Sequence, residues 1–237
     1  MLQRSVSIST PYNDSAAQRA GTFFDVLNER RGGLLDGIQR RWQRERRRRK
    51  VGRAYDMALE IARFVPTGSR VLDVGCGNGF IAHHLSSMIG TSVIGVDLDV
   101  TAEAAIDYRQ FDRRHFPVEY GTVDAVLLCY VLHHAQDLGV IMSELRGVLG
   151  DGGLAVVYED IPAAWWDRLV CWTHDLKWRK RTGPCRFRSA SEWRHQFHSA
   201  GFEIVSERSL SRWRNFTHPV SRTLFVLKVN HANLVQG

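Results

Sequence analysis

The residues able to do chemistry fall into two groups along this chain. The first is Asp73, followed by glycines at alternate positions, Gly75, Gly77 and Gly79, and then Asp97, 18 residues beyond Gly79. Glycines spaced in this way suit a tight turn whose backbone comes close to a ligand. A carboxylate at the end of the following strand suits the paired hydroxyls of a ribose; the plainer alternative is a helix cap. The second group is Tyr130, His133 and His134, with Glu159 and Asp160 further on. An imidazole can take up a proton from an acceptor, and a phenol can orient an acceptor oxygen. His134 stands first among these candidates, with His133, Tyr130 and Glu159 behind it. One of two adjacent histidines can equally pack or cap, and Glu159 and Asp160 can cap a helix opening at Pro162.

A parallel sheet is needed to bring the two groups together. Val71, Leu72 and Val74 predict a first strand buried on both faces, and the segment from Phe80 to Met88 predicts a helix stopped by Gly90. Val93–Asp97 reads as the second strand. A crossover too short for more than a turn or two of helix leads to a third, Ala105–Phe111, ending at Asp112. The fourth strand is Asp124–Tyr130. Val140, Ile141, Leu145, Val148 and Leu149 mark a helix, Gly150–Gly153 a sharp turn, and Leu154–Tyr158 the fifth strand. Such alternation predicts an α/β fold, a doubly wound and mostly parallel sheet with right-handed crossovers. After a helix beginning at Ser191 with a serine cap, Glu203–Val205 and Thr223–Val229 predict an antiparallel C-terminal hairpin at one sheet edge.

Residues 161–195 differ in character. Trp165, Trp166, Trp172, Trp178 and Trp193 alternate with arginines and lysines. The plainer expectation is an inserted helix over 161–178 whose tryptophans pack on the sheet, broken at Thr182-Gly183-Pro184. The functional one is a helical lid over a substrate pocket with a cationic rim.

Charge is unevenly spread. The net charge is +7, yet residues 40–50 alone carry +7 and residues 165–214 carry +6, which leaves 7 − 13 = −6 for the rest. Residues 1–52 read as a helical basic extension and 53–237 as the main domain, with the cap inserted at 161–195. The run Arg40–Lys50 has three readings: a solvated helix face, a clamp for an anionic or lipid-like partner, or a nucleic-acid arm. Cys76, Cys129, Cys171 and Cys185 form no CxxC pair, so no metal-ligand spacing is legible and a reducing, cytoplasmic setting is expected. No apolar run approaches the roughly 20 residues of a membrane span, and the first residues lack the apolar stretch of a secretory signal.

The glycine pattern is GxGxG with Phe80 next, which departs from the dinucleotide fingerprint, and no GK[ST] is present. Val71–Gly79, Val93–Asp97, Asp124–His134 and Leu149–Gly153 together resemble the motifs of class I methyltransferases that use S-adenosyl-L-methionine. The resemblance covers residues 53–160 with specific motifs and continues more weakly to Val229. It implies that Gly75, Cys76, Gly77 and Gly79 approach the methionine and ribose, and that Asp73 orients the methionine amino group. It further implies that Asp97 holds the ribose hydroxyls, Leu98 packs on the adenine, Asp112 accepts from the adenine amino group, and Cys129 lines the cofactor pocket. The implied activity is methyl transfer to a small or lipid-like acceptor. The basic segments keep two other outcomes in view, contact with an anionic membrane surface and, less favoured, RNA methylation. A cofactor-binding regulatory protein without catalysis is the outcome of a different class.

Overall fold

Val71, Leu72, Asp73 and Val74 are all buried, because helices cover both faces of the strand they form. The computed structural model describes residues 39–98, 102–215 and 218–230. The polar stretch 1–18, the apolar turn at Phe23–Leu27 and a helix start near Leu34 lie outside these residues, as does Asp99 at the head of the second crossover.

The chain divides into two units, Met1–Lys50 and Val51–Gly237. In the first, residues 39–50 are helical and exposed throughout. Arg49 Nε donates to Glu45 at 2.8 Å, and the Arg46 guanidinium lies 4.6 Å over the ring of Trp42. The described part of the basic run is thus an exposed helix.

The second unit is built on seven strands: β1 (Val71–Val74), β2 (Val93–Asp97), β3 (Asp107–Gln110), β4 (Val123–Cys129), β5 (Leu149–Asp160), β6 (Phe202–Leu210) and β7 (Arg222–Val229). Their order is β3-β2-β1-β4-β5-β7-β6. The first five pair in parallel, and β7 joins β5 and β6 antiparallel, so the C-terminal hairpin forms the sheet edge as expected. Period-two alternation sends Val71, Ala125, Leu127 and Val156 to one face, under α1 (residues 51–61) and α2 (Phe80–Ile89). It sends Leu72, Val74, Val126, Leu128 and Val157 to the other, under α3 (Leu138–Val148) and α5 (Ala190–Ser199). Glu60 of α1 is buried on the first face, where it accepts from Tyr158 Oη at 3.0 Å and Arg214 Nη1 at 2.7 Å and pairs with Arg208.

Four local expectations shift. β3 is shorter than Ala105–Phe111, because Ile106 leaves the ladder to pack toward the glycine loop. β5 begins at Leu149, not Leu154; Leu149 pairs with Val123, and the ladder resumes at Ala125 with Leu154, so the Gly150–Gly153 turn is an irregularity carried within the strand. The cap of α5 is Ser189, not Ser191: its Oγ accepts from Glu192 N at 3.3 Å while Glu192 Oε2 accepts from Ser189 N at 2.7 Å.

The fourth shift concerns the cap helix, α4 (Trp165–Thr182), which ends at Gly183. Its tryptophans do not pack on the sheet. Trp165, Leu169, Trp172 and Leu176, spaced i, i+4, i+7 and i+11, form an exposed stripe. The inward face is polar instead, with Asp167, Cys171 and Asp175 buried. Both carboxylates close the chain around the helix ends. Asp167 accepts from the N–H groups of Ala163 (3.2 Å) and Ala164 (3.0 Å), and Asp175 accepts from Cys185 N at 2.7 Å. The two buried carboxylates thereby fix the chain on either side of the helix, while the indole rings of the stripe stay in solvent.

Candidate active site

The chain runs outward from β1 to β3 and returns to β4, so the loops after β1 and β4 flank the point where strand order reverses, the usual ligand crevice of such sheets. The two loops touch. A Cβ on Gly75, whose φ is +68°, would lie 2.5 Å from Val131 Cγ2, so only glycine fits. Gly75 N and Cys76 N donate to Val96 O at 2.8 and 3.1 Å, which fastens the glycine loop to β2. Gly77 faces open space, with nothing within 4 Å of where its Cβ would be. Gly79 begins α2 in the left-handed region and lies against Ile106.

Asp97, at the carboxyl end of β2, binds the glycine loop. Its Oδ2 accepts from Gly77 N at 2.8 Å and its Oδ1 from Leu98 N at 2.7 Å. Asp73 is buried beside it. Burial, reinforced by the charge of Asp97 and only partly offset by a hydrogen bond from the Ala82 N–H, raises its carboxyl to about 7. Its Oδ2 is buried without a hydrogen-bond partner among the described residues. A buried carboxylate oxygen left over in this way fits an ammonium donor, and an open backbone cradle at Gly77 fits a ligand passing close to it. These two features suit the methionine end of S-adenosylmethionine.

The remaining expected cofactor residues divide. Cys129 is half-buried at the end of β4, and desolvation, with the charges of Asp73 and Glu159, raises its thiol pKa. Leu98 packs, partly buried, against the core. The half-buried Cys76 turns its thiol toward β2, where a Cβ on Gly95 would meet Sγ at 2.9 Å. Asp112 is exposed and already used: its Oδ1 accepts from Arg114 N at 2.8 Å and His115 N at 2.7 Å, an Asp-closed turn.

On the β4 side, Tyr130 holds a left-handed backbone, φ +63°, and its N–H donates to Tyr158 O at 2.8 Å. This kink ends β4 and starts the 3-10 turn Leu132–His134. Glu159 is fully buried and ties that turn to β5: Oε1 accepts from Leu132 N at 2.7 Å, and Oε2 lies 2.7 Å from His133 Nδ1. Burial works against a charged His133, but the charge and hydrogen bond of Glu159 outweigh it and raise the imidazole pKa. His133 Nε2 is buried without a partner among the described residues. His134 is different. Burial, with His133 and His174 alongside, lowers it to about 3, and its Nε2 meets His174 Nε2 at 3.3 Å. Burial, His133 and His218 lower His174 to about 4. An imidazole with so low a pKa is a feeble proton acceptor at neutral pH. Asp160 is paired with other groups, 3.0 Å from Arg222 Nε and 2.8 Å from His218 Nε2, whose ring lies 5.2 Å from that of His174.

His174, Thr182 and Cys185 complete this wall from the cap, and sequence reasoning missed all three. Their signal was the helical spacing of Asp167, Cys171, His174, Asp175 and Trp178, which a search for apolar faces passes over.

Comparison with known proteins agrees with this geometry. A family described as a methyltransferase domain matches residues 42–207. The ubiquinone biosynthesis O-methyltransferase of Bradyrhizobium diazoefficiens is 35% identical over 101 residues, 38% of this chain and 39% of the relative. The 2-phytyl-1,4-naphtoquinone methyltransferase of Synechococcus elongatus is 29% identical over 151 residues, 57% of this chain and 58% of the relative. The chain therefore spans about 39–58% of the length of these curated relatives. Among solved structures, an S-adenosylmethionine-dependent methyltransferase from Methanosarcina mazei superposes with a TM-score of 0.56 at 17% identity, covering 72% of this chain and 96% of that one, a likeness of fold. With the family match over most of its length, the seven-stranded sheet with its antiparallel hairpin and the glycine loop at the switch point, the chain belongs to the class I methyltransferases.

Proposed function

We propose that the protein transfers the methyl group of S-adenosylmethionine to a small, lipid-like acceptor held between the ends of β4 and β5 and the cap helix α4. The observation that carries this is the buried, unpartnered Oδ2 of Asp73 beside the open backbone at Gly77. Asp73 would hold the methionine ammonium, the glycine loop would admit the cofactor closely, and Asp97 would take the ribose hydroxyls. Cys129 and Leu98 would line the cofactor side; Asp112, spent on its own turn, is the weakest member of the expected set.

The sulfonium supplies an activated methyl group and leaves as a neutral sulfide. The chain has then to align the acceptor with the methyl carbon and keep water out. Tyr130, His133, His134 and Glu159 are the polar groups on the acceptor side. Between the two histidines, His133 is the better proton acceptor, since Glu159 orients it and raises its pKa whereas His134 is held near 3.

One feature supports a lipid-like acceptor: the two relatives are named for quinone substrates or pathways. Among the described residues no helix is long and apolar enough to cross a membrane.

Transfer of labelled methyl groups into cell extract tests the whole reading. Label is expected in the fraction extracted by organic solvent. Label in RNA, its incorporation suppressed by high salt, would favour the nucleic-acid alternative. Cofactor binding by calorimetry without turnover on any fraction would leave a regulatory protein.

A further inference from the structure

We propose that His133, His134 and His174 form a three-imidazole site for a divalent transition metal of the zinc class, closing α4 onto the carboxyl end of β4. One nitrogen from each ring lies within 4.8 Å of the others. His134 Nε2 and His174 Nε2 are already 3.3 Å apart. Ligand nitrogens at about 2.0–2.1 Å from a tetrahedral metal are about 3.3 Å from one another, so that pair is at ligand spacing and the third ring must close by about 1.5 Å. Imidazole is the ligand that zinc and its neighbours share, and three imidazoles leave a fourth position for water or an acceptor heteroatom.

Two further observations point to a ligand here. The first is His133 Nε2, in a side chain 1% exposed, with no hydrogen-bond partner among the described residues. A buried imidazole nitrogen with nothing to bind is costly, and a metal would satisfy it. The second is the far side of each ring. His133 gives its Nδ1 to the fully buried Glu159 at 2.7 Å, the carboxylate–histidine arrangement that fixes tautomer and orientation in metal sites. His134 Nδ1 is held from behind by Thr182 Oγ1 at 3.1 Å and Cys185 Sγ at 3.3 Å. The thiol of Cys185 is pushed up to about 11, mainly by burial and then by Asp175, so it stands there as a neutral group. Both Nε2 atoms are thus left to converge with His174, 40 residues away along the chain.

The site joins two elements that otherwise meet through ring contacts and loop hydrogen bonds. It revises the expectation of no metal, which came from cysteine spacing alone. Binding does not depend on methyl transfer. With the metal in place the lone pair of His133 is committed, and the proton-accepting capacity described above belongs to the metal-free chain.

The test is titration of the full metal-free chain with Zn²⁺ by calorimetry, and with Co²⁺ followed by its visible absorption, both without cofactor. One ion per chain is expected, with the intense absorption of four-coordinate Co²⁺. His174→Gln, on the half-buried cap, should weaken Zn²⁺ at least tenfold while leaving the circular dichroism unchanged. Glu159→Gln should weaken it by about 10- to 100-fold. Should His133→Ala fail to fold, His174→Gln and His134→Gln still decide the matter. No Zn²⁺ binding at millimolar metal, or equal affinity in wild type and His174→Gln, overturns the site. Loss of metal binding would say nothing against the cofactor cradle, which S-adenosylmethionine calorimetry reads independently.

Discussion

Asp73→Asn should stabilise the protein without cofactor and disable the cradle at the same time. Asp73 is fully buried, and its carboxyl is raised from 3.8 to about 7. The folded state therefore holds the proton more tightly than the unfolded chain. The associated stability is fully present below about pH 3.8 and is lost as pH rises toward 7, above which the penalty is complete. At 1.36 kcal/mol per pH unit, the interval from 3.8 to about 7 amounts to about 4 kcal/mol. Asparagine keeps the shape and removes the charge, though its amide inherits the unpartnered position at a cost of about 1–3 kcal/mol. The net gain at pH 8 is then about 1–3 kcal/mol; near pH 4, where the wild-type carboxyl is protonated and carries no charge penalty, the variant is the less stable by about 1–3 kcal/mol. Urea denaturation of both proteins at pH 4, 6 and 8 reads this difference directly. The cofactor ammonium favours the ionised carboxylate, so wild-type affinity for S-adenosylmethionine should rise about tenfold per pH unit up to about 7 and then level. The asparagine variant should bind at least tenfold more weakly at pH 8, with no such rise. A variant that is no more stable than wild type at pH 8, and that binds the cofactor equally well, would refute both the buried charge and its assignment to the ammonium.

Further expectations concern the supports around that carboxylate. Asp97→Ala removes the acceptor of the Gly77 N–H and the proposed ribose partner; each lost charge-assisted bond is worth about 1.5–3 kcal/mol, so calorimetry should show S-adenosylmethionine affinity falling more than tenfold. Gly75→Ala forces a left-handed alanine against Val131, about 1–2 kcal/mol of backbone strain plus about 1–3 of overpacking, and Val131→Ala in the same chain should recover only the second part in denaturant unfolding. Glu60→Ala leaves Tyr158 Oη without its acceptor and separates two part-exposed arginines from their carboxylate; a loss of about 2–3 kcal/mol is expected, with cofactor affinity unchanged.

What could be read from the sequence was what neighbours along the chain decide. Val71–Val74 running into three glycines specifies a buried strand and a backbone turn whatever the rest of the protein does, and the structure puts both at the switch point. Asp112, like Asp97, is a carboxylate closing a strand, and stands second to it as a cofactor candidate. The difference lies in the acceptors' occupants: Asp97 binds a loop N–H 20 residues away, whereas Asp112 binds the second and third residues after itself, a local turn that Asp-Arg-Arg-His already permitted. The cap helix was misjudged for the opposite reason. Its tryptophans dominate any hydrophobic count, yet Asp167 and Asp175 turn inward because Ala163, Ala164, Cys185 and Arg212 bring N–H groups and charge that only the fold assembles.

The two histidines make the same point at the level of chemistry. Adjacent in sequence, they differ in their surroundings: Glu159 supports a proton on His133, while burial, His133 and His174 oppose one on His134. That difference depends on residues 26 and 40 positions distant. It also turns the His-His pair from a proton acceptor with a spare neighbour into two aligned nitrogens awaiting a third, which α4 supplies. A base acts through one lone pair and is spoiled by neighbouring imidazoles; a metal site requires them. The crowding that makes His134 a poor base is therefore the feature that suits the cluster to a metal, and Zn²⁺ titration of His134→Gln separates the two roles.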